Sequence, residues 1–114
     1  MKERAYDDPE LRERLAGLPG WSAAGNAIER RYATEGWPAT LMLVNAIGFL
    51  CEAADHHPDL AVSWGGVTVR FNTHTAGGVT DKDLELARKV DEVALWRPAG
   101  GALAGTSRKW VGPA

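Results

Sequence analysis

The sequence predicts an α+β domain in which three helices pack on one face of a four-stranded antiparallel sheet, in the order α-β-β-α-β-β-α. Two observations lead to this prediction. Glycine-containing turns at Gly25-Asn26 and Gly65-Gly66 each separate two runs of strand-forming residues, as in β-hairpins. Three further segments carry the apolar spacings or the capping residues of helices. The sequence has no glycine-rich phosphate loop between a strand and a helix, which disfavours a nucleotide-binding α/β fold.

The first helix and the first hairpin occupy the N-terminal part of the chain. Asp8 is the predicted N-cap, Pro9 suits the first helical position, and the glycines and proline at positions 17–20 end the helix. Residues 21–23 are then predicted to form a short strand and residues 27–34 its hairpin partner.

The second helix is predicted over residues 38–54, with Pro38 at or near its first position and Pro58 helping to end it. Its apolar residues recur at spacings of three and four and form one stripe: Leu41, Val44, Ile47, Leu50, Cys51 and Ala54. The longest apolar run, residues 41–51, is too short and too interrupted to span a membrane. We therefore expect a soluble, cytoplasmic protein without a membrane segment.

The second hairpin is predicted to pair residues 60–64 with residues 67–73 across the turn at Gly65-Gly66. A two-residue turn at that place pairs Trp64 with Val67, so the two side chains are expected on the same face of the sheet.

The third helix is predicted to begin after Thr80 and to run to about Trp96. Thr80 is a good N-cap, and Asp83 three residues later completes a pattern close to a capping box. The inward stripe of this helix is expected to be Leu86, Val90 and Val93. Residues 97–114 show no clear period, so the sequence leaves the structure of this C-terminal extension open.

Composition and charge favour a single small domain, residues 1–114. The formal net charge is -2 with acids and bases interspersed, which argues against a nucleic-acid-binding surface. Cys51 is the single cysteine, so no intrachain disulfide forms and a reducing compartment is expected. The N-terminus lacks the apolar core of a signal peptide.

The three histidines are the residues most typical of a chemical site. His56 and His57 are adjacent at the end of the second helix, and His74 lies at the end of the second hairpin. Histidine suits proton transfer near neutral pH. From spacing alone, three interpretations remain open: surface or helix-capping imidazoles, a zinc site, and a metal-free acid/base site. The i, i+4 pair of histidines typical of a helical zinc site is absent.

The neighbouring residues have simpler interpretations that also stay open. Asp83 is more typical of a helix cap than of a catalytic carboxylate, and Glu52 is typical of a solvated helix end. Cys51 lies on the apolar stripe and is expected in the core. Trp64 is more typical of a packing residue than of a platform for a flat ligand.

A combination of motifs extends this interpretation. The motif reads Glu52-x-x-x-His56-His57-Pro58, then Trp64, His74 and Asp83, with flanking residues Gly20-Trp21, Ile28-x-Arg30, Thr73-His74 and Gly78-Val79-Thr80-x-x-Asp83-x-x-Leu86-Ala87. It resembles the signature of the pterin-4a-carbinolamine dehydratases, over about residues 15–95. The resemblance implies a fold of four antiparallel strands and three helices. It also implies removal of water from 4a-hydroxytetrahydropterin to give quinonoid dihydropterin, without a metal or an organic cofactor.

The resemblance also implies roles for individual residues. The catalytic residues would be His56, His57 and His74. The residues near the pterin would be Asp55, Thr73 and Thr75, and the supporting residues would be Glu52, Pro58, Trp64 and Asp83. Which histidine is the acid and which the base does not follow from the sequence.

The chain also departs from the family pattern. Gly36-Trp37-Pro38 replaces the phenylalanine-rich sequence that the family has at the start of the second helix. Residues 97–114 extend past the region that resembles the family. An open four-stranded sheet has unpaired edges, so we expect a homodimer or homotetramer. The alternative function is a non-catalytic dimerisation or assembly module on the same scaffold. Retention of all three histidines favours the enzyme.

Overall fold

The structure is a computed structural model that describes residues 3–113. Its three α-helices are α1 (Asp8–Leu15), α2 (Trp37–Ala54) and α3 (Asp81–Ala94). Its strands are β1 (Ser22–Ala24), β2 (Ala27–Thr34), β3 (Asp59–Ser63), β4 (Gly66–Phe71) and β5 (Val111–Pro113). A short 3₁₀ turn covers His74–Ala76. The predicted α+β class and the order α-β-β-α-β-β-α are confirmed.

The two hairpins meet along their second strands, so that the sheet has the order β1-β2-β4-β3. Strands β2 and β4 are antiparallel and pair Ile28 with Phe71 and Tyr32 with Val67. These four side chains are fully buried and form the centre of the core beneath α2 and α3. Because β4 ends at Phe71, the chain is already leaving the sheet when it reaches His74.

The C-terminal extension contributes a fifth strand that the sequence pattern did not predict. Strand β5 pairs with β2 from Tyr32 to Thr34, on the edge opposite β4. The side chain of Glu35 holds the approach to β5 by accepting hydrogen bonds from Arg108 Nε at 3.1 Å and from the backbone N–H of Lys109 at 2.7 Å. Strand β1 covers only the beginning of β2, so β5 covers the part of that edge that would otherwise be open.

Helix α2 buries a stripe that overlaps the predicted one only in part, at Ile47 and Cys51. Its buried residues are Ala39, Thr40, Leu43, Ile47 and Cys51. Leu41 and Ala54, which were predicted to face the core, are exposed. The prediction failed because residues 37–51 contain no charged side chain, so apolar spacing alone does not distinguish the buried face from the exposed one.

Helix α2 is also longer than the apolar run that the sequence suggested. Its 18 residues have a mean hydropathy of 1.3, which by length and composition alone would allow it to cross a membrane. The core helix of a soluble protein can have the same length and composition, so these values alone do not indicate a membrane span. One face of α2 packs against β2, β3 and β4, as in the core helix of a sheet domain.

The second hairpin turns one residue earlier than predicted. Val62, rather than Trp64, pairs with Val67, and Trp64 lies in the turn itself. Gly66 belongs to strand β4, where the guanidinium of Arg31 occupies the space that a Cβ atom would fill. The prediction that Trp64 shares the buried face of Val67 is wrong, since Trp64 is 69% exposed.

The helix caps agree with the sequence prediction in α3 and differ by one residue in α1. Thr80 and Asp83 form the capping box of α3. In α1 the N-cap is Asp7 rather than Asp8, and Asp7 forms a capping box with Glu10. In α3, Leu86 and Val90 are buried as predicted, but Val93 is 45% exposed.

Candidate acid/base site

A buried histidine–carboxylate pair joins the end of α2 to the start of α3. The ring Nε2 of His56 lies 2.6 Å from Oδ1 of Asp83. The side chain of His56 is 13% exposed and that of Asp83 is completely buried. The His56 ring lies nearly parallel to the ring of Phe71, with 6.3 Å between centroids. This imidazole is therefore held by a carboxylate in a setting from which most water is excluded.

The second oxygen of Asp83 is held by the end of the sheet. Thr73 Oγ1 donates to Asp83 Oδ2 at 2.9 Å, and the backbone N–H of Thr80 donates to the same oxygen at 2.9 Å. The two threonine hydroxyls are 2.8 Å apart. Both threonines are buried, so every member of this network is fixed by the packing around it.

The turn after α2 separates His56 from His57. Asp55 is the C-cap of α2 and adopts the left-handed conformation with φ 53°, which aspartate tolerates better than most residues. The backbone N–H of His56 then closes the helix end by donating to Cys51 O at 3.1 Å. His57 lies outside, where its Nε2 is 2.7 Å from Oε1 of Glu52 and its side chain is 58% exposed.

His74 follows Thr73 directly and begins the 3₁₀ turn. Its side chain is exposed, and within residues 3–113 it makes no side-chain hydrogen bond or ion pair. Thr75, in the same turn, is also exposed. Since Thr73 contacts Asp83, this turn lies beside the network that holds His56.

The other predicted residues fall in two places. Asp55 is exposed and Pro58 partly buried on the segment that carries His56 and His57. Trp64 lies five residues beyond the start of β3, at the opposite end of the second hairpin, where its carbonyl accepts a hydrogen bond from Thr40 near the start of α2. Trp64 therefore lies at the opposite end of the sheet from the histidines. The distance along the strand from the start of β3 to Trp64 is about 17 Å.

A groove of about 410 Å³ lies between α2 and α3 beside His56. This volume is within the ~300–1,000 Å³ range of small-molecule pockets. The groove is lined by Leu50, Ala53, Ala54, His56, Lys82, Glu85, Leu86 and Lys89. Neither His57 nor His74 lines it. A second groove of about 370 Å³, between α1 and β1, contains none of the predicted site residues.

Metal binding and thiol chemistry find little support in the same region. Within residues 3–113, no three His, Cys, Asp or Glu side chains are gathered closely enough to hold a metal ion. Cys51 is buried as predicted, and this burial raises the pKa of its thiol to about 11. A thiol with that pKa is almost entirely protonated at neutral pH and is a poor nucleophile.

A second polar cluster, centred on Asp91 of α3, was missed by the sequence analysis. Its carboxylate accepts hydrogen bonds from Trp21 Nε1 at 3.0 Å, from Arg30 Nη1 at 3.1 Å and from the hydroxyl of Tyr32. Burial, together with this hydrogen bond, raises the pKa of Tyr32 well above its ordinary value. Arg30 and Tyr32 share one face of β2, but Asp91 lies 61 residues after Arg30, so no local pattern could have indicated that it joins them.

The α+β domain thus holds a buried histidine–carboxylate pair, with two further histidines on the adjoining segments. The chain belongs to the pterin 4 alpha carbinolamine dehydratase family, whose model matches residues 4–93. A protein of Roseiflexus castenholzii is 42% identical over 87 residues, which cover 76% of this chain and 94% of that protein. A protein of Aquifex aeolicus is 41% identical over 90 residues, which cover 79% and 91% of the two chains. Both carry the provisional name pterin-4-alpha-carbinolamine dehydratase.

Solved structures agree with this assignment of the fold. A crystal structure of a transcriptional coactivator/pterin dehydratase from Brucella melitensis superposes with a TM-score of 0.76 at 28% identity, over 80% of this chain and 99% of that chain. A pterin dehydratase-like protein described as a RuBisCO assembly factor in the alpha-carboxysome superposes with a TM-score of 0.55 at 19% identity, over 65% and 86% of the two chains. At that identity the second comparison supports the fold alone.

Proposed function

We propose that this protein dehydrates 4a-hydroxytetrahydropterin to quinonoid dihydropterin and thereby recycles a tetrahydropterin cofactor. The observation that carries the proposal is the buried pair of His56 and Asp83, held at the meeting point of α2, β4 and α3 in a member of this family. The pair supplies an imidazole in a fixed position, which is what proton transfer to or from a bound molecule requires.

The reaction needs one acid and one base. The bond between C4a and the hydroxyl oxygen breaks, and the oxygen leaves with the bonding electrons and takes up a proton as water. A ring N–H loses its proton, and the electrons of that bond form the new double bond to C4a. Protons are the only species exchanged, and no atom of the protein changes oxidation state. We therefore propose no metal and no organic cofactor.

The three histidines are the proposed catalytic group, because two imidazoles in different environments can divide the acid and base roles. His56 is fixed and mostly buried, whereas His57 and His74 are exposed on the segments beside it. Asp55 and Thr75 are exposed near these histidines and remain the proposed pterin contacts. The hydroxyl of Thr73 is engaged with Asp83 and Thr80, so we propose that Thr73 acts through them.

The test is a stopped assay of 4a-hydroxytetrahydropterin dehydration with purified protein against buffer alone. His56→Ala should lower turnover by on the order of a hundredfold or more while the protein stays folded. Glu13→Gln, an exposed change on α1, is the matched control and should behave as wild type. A wild-type protein that leaves the rate at the buffer value would refute the proposed function.

We also propose that the protein is soluble and cytoplasmic and forms a homodimer or homotetramer. Besides the open outer edge of β3, residues 37–51 of helix α2 present an uncharged surface to solvent. Its exposed large side chains include Trp37, Leu41, Met42 and Phe49, the last of which is 73% exposed. An apolar helix face of this kind suits a second copy of the same helix across a two-fold axis.

The oligomer is tested by light scattering or sedimentation at working concentrations. Phe49→Glu should lower the molecular mass toward that of a monomer, because it places a charge in the proposed interface. Glu13→Gln should leave the mass unchanged. A wild-type monomer that nevertheless captures another protein through the α2 face would favour the assembly-module alternative over self-association.

A further inference from the structure

We infer that Asp83, oriented by Thr73 and Thr80, holds His56 in the tautomer protonated on Nε2, so that Nδ1 is the atom that exchanges a proton with the substrate. Thr80 thereby becomes a positioning residue in addition to a helix cap. The part of this inference that concerns the substrate rests on the proposed dehydratase function.

The direction of each hydrogen bond in the network follows from the donors available. In the capping box, the backbone N–H of Asp83 donates to the hydroxyl oxygen of Thr80, and the backbone N–H of Thr80 donates to Oδ2 of Asp83. The hydroxyl of Thr73 donates to the same Oδ2 at 2.9 Å. The Thr73 hydroxyl has one hydrogen, and this hydrogen bonds to Asp83. In the 2.8 Å contact between the two hydroxyls, Thr80 must therefore donate and Thr73 must accept.

The network uses Asp83 as a hydrogen-bond acceptor. Its Oδ2 accepts from the Thr73 hydroxyl and from the Thr80 backbone N–H, and the carboxylate lies at the third residue of α3. An ionised carboxylate only accepts hydrogen bonds. The 2.6 Å contact between Asp83 Oδ1 and His56 Nε2 therefore requires a proton on Nε2.

The other ring nitrogen of His56, Nδ1, is available to exchange a proton with a bound molecule. Nδ1 makes no hydrogen bond to the described residues 3–113. Among the described residues, Trp110 Nε1 is the one buried side-chain nitrogen or oxygen without a hydrogen-bond partner. Because Nδ1 of His56 also has no partner but is not buried in this way, it is in contact with solvent. In the neutral ring Nδ1 carries a lone pair and accepts a proton; in the imidazolium it donates one. In both cases Asp83 holds the ring through the Nε2 hydrogen bond, as the carboxylate of a catalytic triad holds its histidine.

The proton balance assigns one step to this atom. When His56 is the base, the proton of the pterin ring N–H passes to Nδ1, and the leaving oxygen takes its proton from another imidazolium of the site. When His56 is the acid, Nδ1–H supplies the proton to the leaving oxygen, and another imidazole takes the ring proton. In both directions the Nε2 proton stays with the Asp83 hydrogen bond.

The tautomer is measured by long-range ¹H–¹⁵N NMR correlation on protein labelled with ¹⁵N-histidine, which distinguishes protonated from unprotonated ring nitrogens. We expect neutral wild-type His56 to be protonated on Nε2. Thr73→Val and Thr80→Val should weaken this preference, and Thr73→Ser and Thr80→Ser should retain it because serine keeps the hydroxyl. Asp83→Asn should change the tautomer, because its NH₂ group can replace Oδ1 and would require Nε2 to accept.

Kinetics and stability are measured on the same variants. Thr73→Val should lower kcat by about tenfold or more with little change in KM, and Asp83→Asn by about a hundredfold. The serine variants should recover most of the loss. Melting temperatures identify variants that have lost the fold, and if Thr80→Val is one of these, the Thr73 pair carries the comparison.

The outcomes separate this inference from the proposed function. A neutral wild-type His56 protonated on Nδ1 overturns the inference, whether or not the protein is a dehydratase. A wild-type kcat in a folded Thr73→Val protein overturns the positioning role. Protonation of His56 on Nε2 in a protein without dehydration activity would support the inferred tautomer and refute the proposed reaction.

Discussion

Asp91→Ala is expected to destabilise the protein more than any other single change to a charged residue outside the histidine site. The substitution removes the acceptor for three donors, which belong to Trp21, Arg30 and Tyr32. The Arg30 side chain is 9% exposed and that of Asp91 is 20% exposed, so the guanidinium would lose its partner in a largely dry setting. Truncating one member of a buried ion pair costs about 3–5 kcal/mol.

The lower end of that range applies here. Arg30 keeps its 2.8 Å hydrogen bond to the Pro19 carbonyl and its position 5.1 Å from the Tyr32 ring centroid. The partial exposure of Asp91 also lets water reach the vacated space. A loss of about 3 kcal/mol lowers the melting temperature of a domain of this length by about 12 °C.

Thermal and urea unfolding measure the effect. Asp91→Asn keeps one acceptor oxygen and should lose less stability. Glu92→Ala, which removes an exposed i, i+3 pair with Lys89, is the matched control and should change stability by no more than about 0.5 kcal/mol. The reasoning is refuted if Asp91→Ala melts within about 3 °C of wild type and no lower than Glu92→Ala.

The Asp91 cluster should also make the stability of the protein depend on pH in the alkaline range. Burial and the Asp91 hydrogen bond raise the pKa of Tyr32 in the folded protein. Tyrosine is neutral in both states below pH ~10; above that pH it ionises in the unfolded chain first. Stability should therefore fall as the pH rises above ~10. The hydrogen bond to Asp81 also raises the pKa of Tyr6, so the titration uses the folded Tyr6→Phe variant, in which the absorbance should show that Tyr32 resists ionisation.

Three further outcomes follow from the described residues. His74→Ala should lower turnover by on the order of a hundredfold while leaving the melting temperature nearly unchanged, and wild-type turnover in the folded variant would remove His74 from the catalytic group. Cys51, with a thiol pKa raised to about 11, should react with a thiol reagent at pH 8 only after unfolding; rapid labelling of the native protein would contradict its burial. Deleting residues 97–114 should leave the dehydration rate unchanged but speed hydrogen exchange at residues 32–34 of β2, and unchanged exchange there would show that β5 does not protect this edge.

Local signals in the sequence were sufficient for most of the fold. Capping residues predicted α3 to within two residues at its C-terminal end, and the glycine turns predicted both hairpins. The errors arose where one local signal had two solutions. The adjacent glycines of the second hairpin allowed two registers, and in the structure the turn lies at Trp64-Gly65 while Gly66 pairs with Ser63.

Features that depend on residues distant in the chain could not be predicted. Strand β5 is three residues long and includes a glycine and a proline, which are poor strand formers, so its pairing with β2 is decided by the open edge rather than by its own propensity. The Asp91 cluster joins a loop, a strand and a helix through side chains alone. Neither feature leaves a periodic signal.

The sequence indicated the residues of the buried pair but not their arrangement. The motif contains both His56 and Asp83, and the structure confirms the helix-cap interpretation of Asp83. Only the structure shows that one carboxylate does both: Oδ2 caps α3 and Oδ1 holds the imidazole. A helix start is defined locally, whereas its contact with a residue 27 positions earlier depends on how α2 and α3 pack.

The two adjacent histidines differ because of where their carboxylate partners lie. His56 meets a buried carboxylate whose position is fixed by the sheet and by α3, so the ring cannot turn without breaking a hydrogen bond in a dry setting. His57 meets Glu52, which is 81% exposed, and surface pairs of this kind contribute about 0–1 kcal/mol. The left-handed turn at Asp55 thus makes one imidazole rigid and the other free to reorient. A rigid imidazole favours proton transfer at a fixed atom, whereas a mobile one can follow a substrate as it binds and leaves.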